Sequence, residues 1–265
     1  MLSILRTISA LVILAELALT AHAADPHPMS WTVDGIEREA IVYAPAKPPK
    51  SGSPLLFVFH GHGGNMRAAA NGMKYQSVWP EAIVVYPQGL PTVTPRDPEG
   101  KRPGWQHLPG DNKDRDLKFV DTMLGSLHEK YKIDDNQVYA TGFSNGGAFT
   151  YLLWDQRSKE FVALAPCGGP LRKELKLSEP KPAFIVAGKE DKLVPIKDQE
   201  AAIEKVRKLD NATADGKIGD GDSMVYKSEK GTPVHTLVHG GGHVLPAEAP
   251  RLIVDFFREQ DRPKK

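Results

Sequence analysis

Residues 137 to 150, Gln-Val-Tyr-Ala-Thr-Gly-Phe-Ser-Asn-Gly-Gly-Ala-Phe-Thr, start as a short β-rich apolar run, break at Gly142-Phe143-Ser144-Asn145-Gly146 and continue as a helix former. A Gly-x-Ser-x-Gly break between strand and helix predicts a tight corner. Glycine is needed at 142 and 146 because a Cβ there would collide with the neighbouring strand or helix. Ser144 would stand exposed at the helix N-terminus, where amides, that of Asn145 among them, point toward any anionic oxygen forming on an attacked carbonyl. The pattern alone is frequent by chance in a chain with 24 glycines, so its flanks decide.

Working upstream, Leu55-Leu-Phe-Val-Phe-His60 is a continuous apolar run, as expected of a buried parallel strand. It empties into Gly61-His62-Gly63-Gly64-Asn65, a place for a second oxyanion donor, the backbone N–H of His62. His60 and His62 lack the Asp, Glu or Cys company of a zinc site, so no metal is expected. Ala82 to Tyr86 reads as the next strand, stopped by Pro87. Gln88 to Asp114 then carries five prolines and four glycines. A loop of this length in a compact domain is usually functional, and it is read as the wall of a substrate cleft with Trp105 and Gln106 as substrate contacts. An equal alternative has Trp105 plugging the underside of the loop. From Asp116 to Tyr131, Leu117, Val120, Leu124, Leu127 and Tyr131 recur at three- and four-residue intervals, one helical face turned to a sheet.

Downstream, Phe161 to Ala165, Ala183 to Ala187 and Val234 to Val238 read as further strands, with helices over 196–209 and 248–259. Residues 24–35 look like a loose lead-in to an edge strand at Ile36 to Tyr43, and 210–222 like a polar surface excursion. Alternating strands and helices predict an α/β fold: a mostly parallel central sheet flanked by helices, in a single domain spanning 24–265. In a parallel sheet all strands point one way, and ligands gather at their carboxyl ends. Ser144, Asp191 and His243 each follow a predicted strand, which brings them to one edge. A serine hydroxyl is a poor nucleophile near neutral pH. It needs a neutral imidazole to take its proton and a carboxylate to hold that imidazole in the right tautomer. Among nine histidines His243 is favoured because Gly240-Gly241-Gly242 lets its loop bend back over the sheet, with His239 as its rival. Asp191 competes with Glu190 and Asp198.

The totals exclude other classes. With 34 basic and 33 acidic residues and a net charge of +1, the chain has no electrostatic footprint for nucleic acid. Met1 to Ala23 reads as an export signal: Arg6, an apolar stretch from Ile8 to Leu19, and Ala21-His22-Ala23 as the cleavage site. A secreted or periplasmic protein with no stable membrane insertion after cleavage follows. Cys167 is the only cysteine, so no internal disulfide can form, and a buried structural thiol is expected.

Taken together, Leu55 to Asn65, Val84-Val-Tyr-Pro-Gln-Gly89, Val138 to Ala148 and Gly240-Gly-Gly-His243 resemble the polyhydroxybutyrate depolymerase and feruloyl/acetylxylan esterase branch of the α/β-hydrolases, carbohydrate esterase family one and its relatives. The resemblance implies an α/β-hydrolase fold, a triad of Ser144, Asp191 and His243, and no metal or organic cofactor. It also implies a small-molecule, polysaccharide or polyester ester as substrate. Members often carry Trp two residues after the base histidine, where this chain has Leu245, and many have paired cysteines absent here. These departures leave open the choice among feruloyl, acetyl and hydroxyalkanoate esters; oligomeric state is not legible. Two rival readings are a peptidase similar to the prolyl oligopeptidase hydrolase domain and a catalytically silent scaffold used for binding.

Overall fold

The computed structural model describes residues 25–218 and 222–260; the expected export signal lies outside them. The chain opens with strands β1 (Pro26–Val33), β2 (Ile36–Tyr43) and β3 (Ser53–Phe59), followed by helices α1 (Met66–Met73) and α2 (Tyr75–Val78) and strand β4 (Ile83–Pro87). Two short strands, β5 (Leu90–Pro91) and β6 (Pro103–Gly104), lie in the long loop. A 3₁₀ turn (Asp111–Asp114) leads into α3 (Arg115–Lys130), β7 (Ile133–Phe143), α4 (Asn145–Arg157), β8 (Ala163–Cys167) and β9 (Ala183–Gly188). The chain continues through α5 (Ile196–Asp210), β10 (Ala212–Lys217), β11 (Met224–Ser228), β12 (Val234–His239) and α6 (Ala249–Arg258).

Ten strands form one sheet in the order β1-β2-β4-β3-β7-β8-β9-β12-β11-β10. The six central strands, β4 to β12 in that order, are parallel, and an antiparallel pair sits on each side. Every residue of β3, β4, β8 and β9 is buried, as a sheet covered on both faces requires. Alternation along β3 sends Leu55, Phe57 and Phe59 to the layer of α3, α4 and α5, and Leu56 and Val58 to the layer of α1, α2 and α6. The α/β, mostly parallel, single-domain reading therefore holds.

Both antiparallel edges depart from the sequence reading. The lead-in at 24–35 is largely β1, which pairs with β2 along its whole length. Pro26 and Pro28 are tolerated because an edge strand has one side without ladder partners; Trp31 and Val33 are buried in the core and Met29 packs half-buried against it. The polar excursion at 210–222 contains β10, an outer strand whose residues after Ala212 are all exposed and whose register shifts between Ala214 and Gly216. Neither β10 nor the first half of β1 carries the apolar alternation that marks a half-buried strand; in β1 it begins only at Met29.

Candidate active site

The corner between β7 and α4 is built around backbone contact. A Cβ on Gly146 would lie 2.2 Å from the Phe59 carbonyl oxygen, and one on Gly142 would lie 2.5 Å from Gly146. Only glycine lets the turn seat this deeply. Ser144 adopts φ 58° and ψ −115°, a conformation costing a non-glycine residue roughly 1–3 kcal/mol. Two bonds hold it there: its N–H donates to the Cys167 carbonyl at 2.8 Å, and its carbonyl accepts from the Ala148 N–H at 2.9 Å. Cys167 itself is buried, and burial pushes its thiol up to about 12.

His243 Nε2 lies 2.7 Å from Ser144 Oγ, and His243 Nδ1 lies 2.7 Å from Asp191 Oδ2. An ionised carboxylate only accepts, so the imidazole proton sits on Nδ1 and the Nε2 lone pair faces the serine hydroxyl. The imidazole reaches this point because the loops after β9 and β12 lie together. Lys189 N–H donates to the His239 carbonyl at 2.9 Å and Glu190 N–H to the Gly241 carbonyl at 3.1 Å. Asp191 is nearly buried; its Oδ1 accepts from the Leu193 and Val194 amides at 2.8 and 2.9 Å. Burial works against its ionisation. The hydrogen bond from His243 and those two amides outweigh it, so the carboxyl titrates below its ordinary range.

The rivals are elsewhere. His239 Nδ1 accepts from the Gly241 N–H at 3.2 Å and thereby shapes the glycine turn. Asp198 is exposed at the rim of the cleft, and Glu190 is exposed. Gln199, absent from the sequence reading, is buried and donates to Asp191 Oδ2 at 3.2 Å and to the Val194 carbonyl at 2.6 Å. It sits on the first turns of α5, where helical spacing alone reads it as one more face residue.

A cleft of about 530 Å³ opens over Ser144, lined by Gly61, His62, Asn145 and His243 among others. The Asn145 N–H is one of the first amides of α4, which lack partners within a helix. Among the described residues the His62 N–H makes no hydrogen bond. The His62 ring is engaged separately: its Nε2 is 3.1 Å from Asp97 Oδ2.

The long loop lines this cleft through Thr94, Pro95, Arg96, Arg102 and His107, and not through the residues expected. Trp105 and Gln106 are both fully buried, so their reading as substrate contacts is corrected. Trp105 plugs the underside of the loop. Its indole N–H donates to the His60 carbonyl at 2.9 Å, and its ring packs against Phe59 and Phe149 with centroids 5.1 and 5.4 Å away. Gln106 Oε1 accepts from the Asp116 N–H at the start of α3. The alternation of apolar and polar residues that reveals strands says nothing about which side of an irregular loop faces inward. Asn145 secures the same segment: its Oδ1 accepts from the Trp105 N–H at 2.7 Å and its Nδ2 donates to the Trp105 carbonyl at 3.1 Å. His107 Nδ1 is 3.0 Å from an Arg172 nitrogen; burial and the Arg172 charge push its imidazole down to about 4.

No protein-family model matches the chain. Among curated proteins it is 28% identical over 176 residues to a bifunctional acetylxylan esterase/xylanase of Neocallimastix patriciarum, covering 65% of this chain and 24% of that protein. It is 29% identical to the probable feruloyl esterase C of Aspergillus oryzae, covering 71% of this chain and 69% of the relative. The chain thus spans about a quarter of the first of these relatives. Among solved structures, an acetyl xylan esterase from Aspergillus awamori superposes with a TM-score of 0.61 at 13% identity, covering 88% of this chain and 99% of that one. The relatives it resembles in sequence are named as esterases, and the solved structure shares its α/β-hydrolase fold. Among its described residues no helix is long and apolar enough to cross a membrane.

Proposed function

We propose that the protein is an exported serine esterase that cleaves carboxylic esters through an acyl-enzyme, acting on feruloyl or acetyl esters of plant polysaccharides or on short polyhydroxyalkanoate esters. The observation that carries the reading is the continuous hydrogen-bonded line from Asp191 through His243 to Ser144, with 2.7 Å at each step. Ser144 Oγ attacks the ester carbonyl as its proton passes to His243 Nε2. The amides of His62 and Asn145 receive the developing oxyanion, each worth on the order of 3 kcal/mol in the transition state. The imidazolium, stabilised by Asp191, then gives its proton to the leaving alkoxide. Water deprotonated by the same imidazole attacks the acyl-serine, and the acid is released with Ser144 regenerated.

The kinship with esterases does not favour the peptidase or the silent scaffold. Export would rest on the Met1 to Ala23 segment. The deciding experiment is a panel of methyl ferulate, acetylated xylan, polyhydroxybutyrate and p-nitrophenyl acyl esters, with the Ser144→Ala protein as blank. Turnover of at least one ester by the parent and none by the variant is expected; equal turnover by both proteins would refute the assignment.

A further inference from the structure

Most arginines among the described residues are neutralised. Arg38, Arg115, Arg157, Arg207, Arg251 and Arg258 each form an ion pair with a carboxylate. Arg96, Arg102 and Arg172 form none, and all three line the cleft that holds Ser144. Arg67 on α1 is the other described arginine without an ion pair. The hydrogen bonds of the cleft arginines are few. Arg96 donates to the Leu193 carbonyl at 3.0 Å, and Arg172 reaches His107 while its buried Nε has no partner. Among the described residues the Arg102 guanidinium makes no hydrogen bond or ion pair.

The acidic groups nearby are committed elsewhere or few. Asp97 accepts from the Lys101 and Arg102 amides and faces the His62 ring, and Asp191 is held by His243. Asp198 is the one acidic residue of the lining. Because the whole chain carries only +1, this positive character is local to the cleft. Guanidinium groups that line one cleft without acidic partners repel one another, so an anion placed among them is stabilising. Arginine presents a planar fork of donors that matches a carboxylate at two points.

We propose that the cleft selects esters bearing a free carboxylate near the scissile bond, held by Arg96, Arg102 and Arg172; this rests on the esterase reading of the same site. The carboxylate could belong to the acid half of the ester, as in a dicarboxylic monoester, or to the alcohol half, as in an esterified hydroxy acid. Neutral His107, accepting from Arg172, would keep that guanidinium turned into the cleft.

Matched substrates differing only in this charge test the proposal. Para-acetoxybenzoate is compared with para-acetoxybenzamide for the alcohol half, and p-nitrophenyl hydrogen adipate with p-nitrophenyl adipamate for the acid half. In at least one pair the carboxylate member should have a kcat/KM about tenfold higher, the size of one charge-assisted contact. Raising the salt concentration should shrink that ratio. Arg96→Gln and Arg102→Gln, both at exposed positions, should each bring it toward one. Calorimetric binding of the same four compounds to the Ser144→Ala protein reads the preference without turnover. Tighter binding of a carboxylate member with no hydrolysis of any ester by the parent would sustain the proposal and sink the esterase reading. Equal rates and equal binding within both pairs, or a preference that neither arginine variant reduces, would overturn it.

Discussion

Ser144, Asp191 and His243 each follow within a few residues of the ends of β7, β9 and β12, whereas Arg96, Arg102 and His107 ride on a long loop whose regular structure is limited to the two-residue pairing of β5 with β6, a bridge between Thr94 and Asp97 and the closing 3₁₀ turn. The first group is placed by the sheet. A parallel ladder fixes where each strand ends, so a residue's distance along the chain from a strand end is close to its position in space. The loop is placed by buried polar groups. Arg38 on β2 donates to Asp116 Oδ1 at 2.9 Å and to the Gln88 carbonyl at 3.3 Å, while Asp116 Oδ2 accepts from the Gln106 N–H at 2.8 Å. His60 Nε2 accepts from the Gly89 N–H at 3.0 Å. These contacts pin both ends of the loop and leave its middle to face the cleft.

If the two regions are held by different means, substitutions should separate them. Asp191→Asn keeps the carboxylate's shape but can stabilise the wrong imidazole tautomer; steady-state kinetics should show kcat reduced about 10⁴-fold with the thermal midpoint little changed. Asp116→Ala removes one member of a fully buried ion pair and strands the Arg38 guanidinium over Phe119. Denaturant titration should show a loss of about 3–5 kcal/mol, and joint replacement as Arg38→Met with Asp116→Leu should restore much of it. Trp105→Phe leaves the buried His60 carbonyl without its donor and should cost about 2 kcal/mol. A large rise in KM with unchanged stability would instead put the indole back in the cleft.

The smallest effect concerns acid. His107 titrates at about 4 in the folded protein against an ordinary 6.5, so between those values the unfolded chain binds a proton that the folded one does not. Stability therefore falls as pH drops through that window. His107→Gln should remove this penalty. Its melting temperature relative to the parent should rise on acidification, by about 1 kcal/mol equivalent near pH 5 once partial exposure is allowed for. A gap independent of pH would mean that the imidazole titrates normally.

The same division explains what the sequence discloses. Buried parallel strands need unbroken apolar runs, and Leu55 to Phe59 and Ala183 to Ala187 supply them; the glycines at 142 and 146 mark a corner that no other residue could turn. The order Ser144, Asp191, His243 then follows from the strand ends. Strand β10 and the first half of β1 bury little, so their polar residues give no periodic signal. Trp105 was legible only as two alternatives, because its inward direction depends on contacts with Asn145 and His60 far away in the chain. Gln199 and Arg172 join the site purely through packing. No local pattern singles them out.

The convergence of Ser144 and His243 is best tested by treating the protein with a fluorophosphonate probe and mapping the adduct by mass spectrometry, alongside the His243→Ala variant. A single adduct on Ser144, lost when the imidazole is removed, is the predicted result. Labelling at a different residue, or labelling of Ser144 at an undiminished rate without His243, would contradict an activated serine at the head of α4.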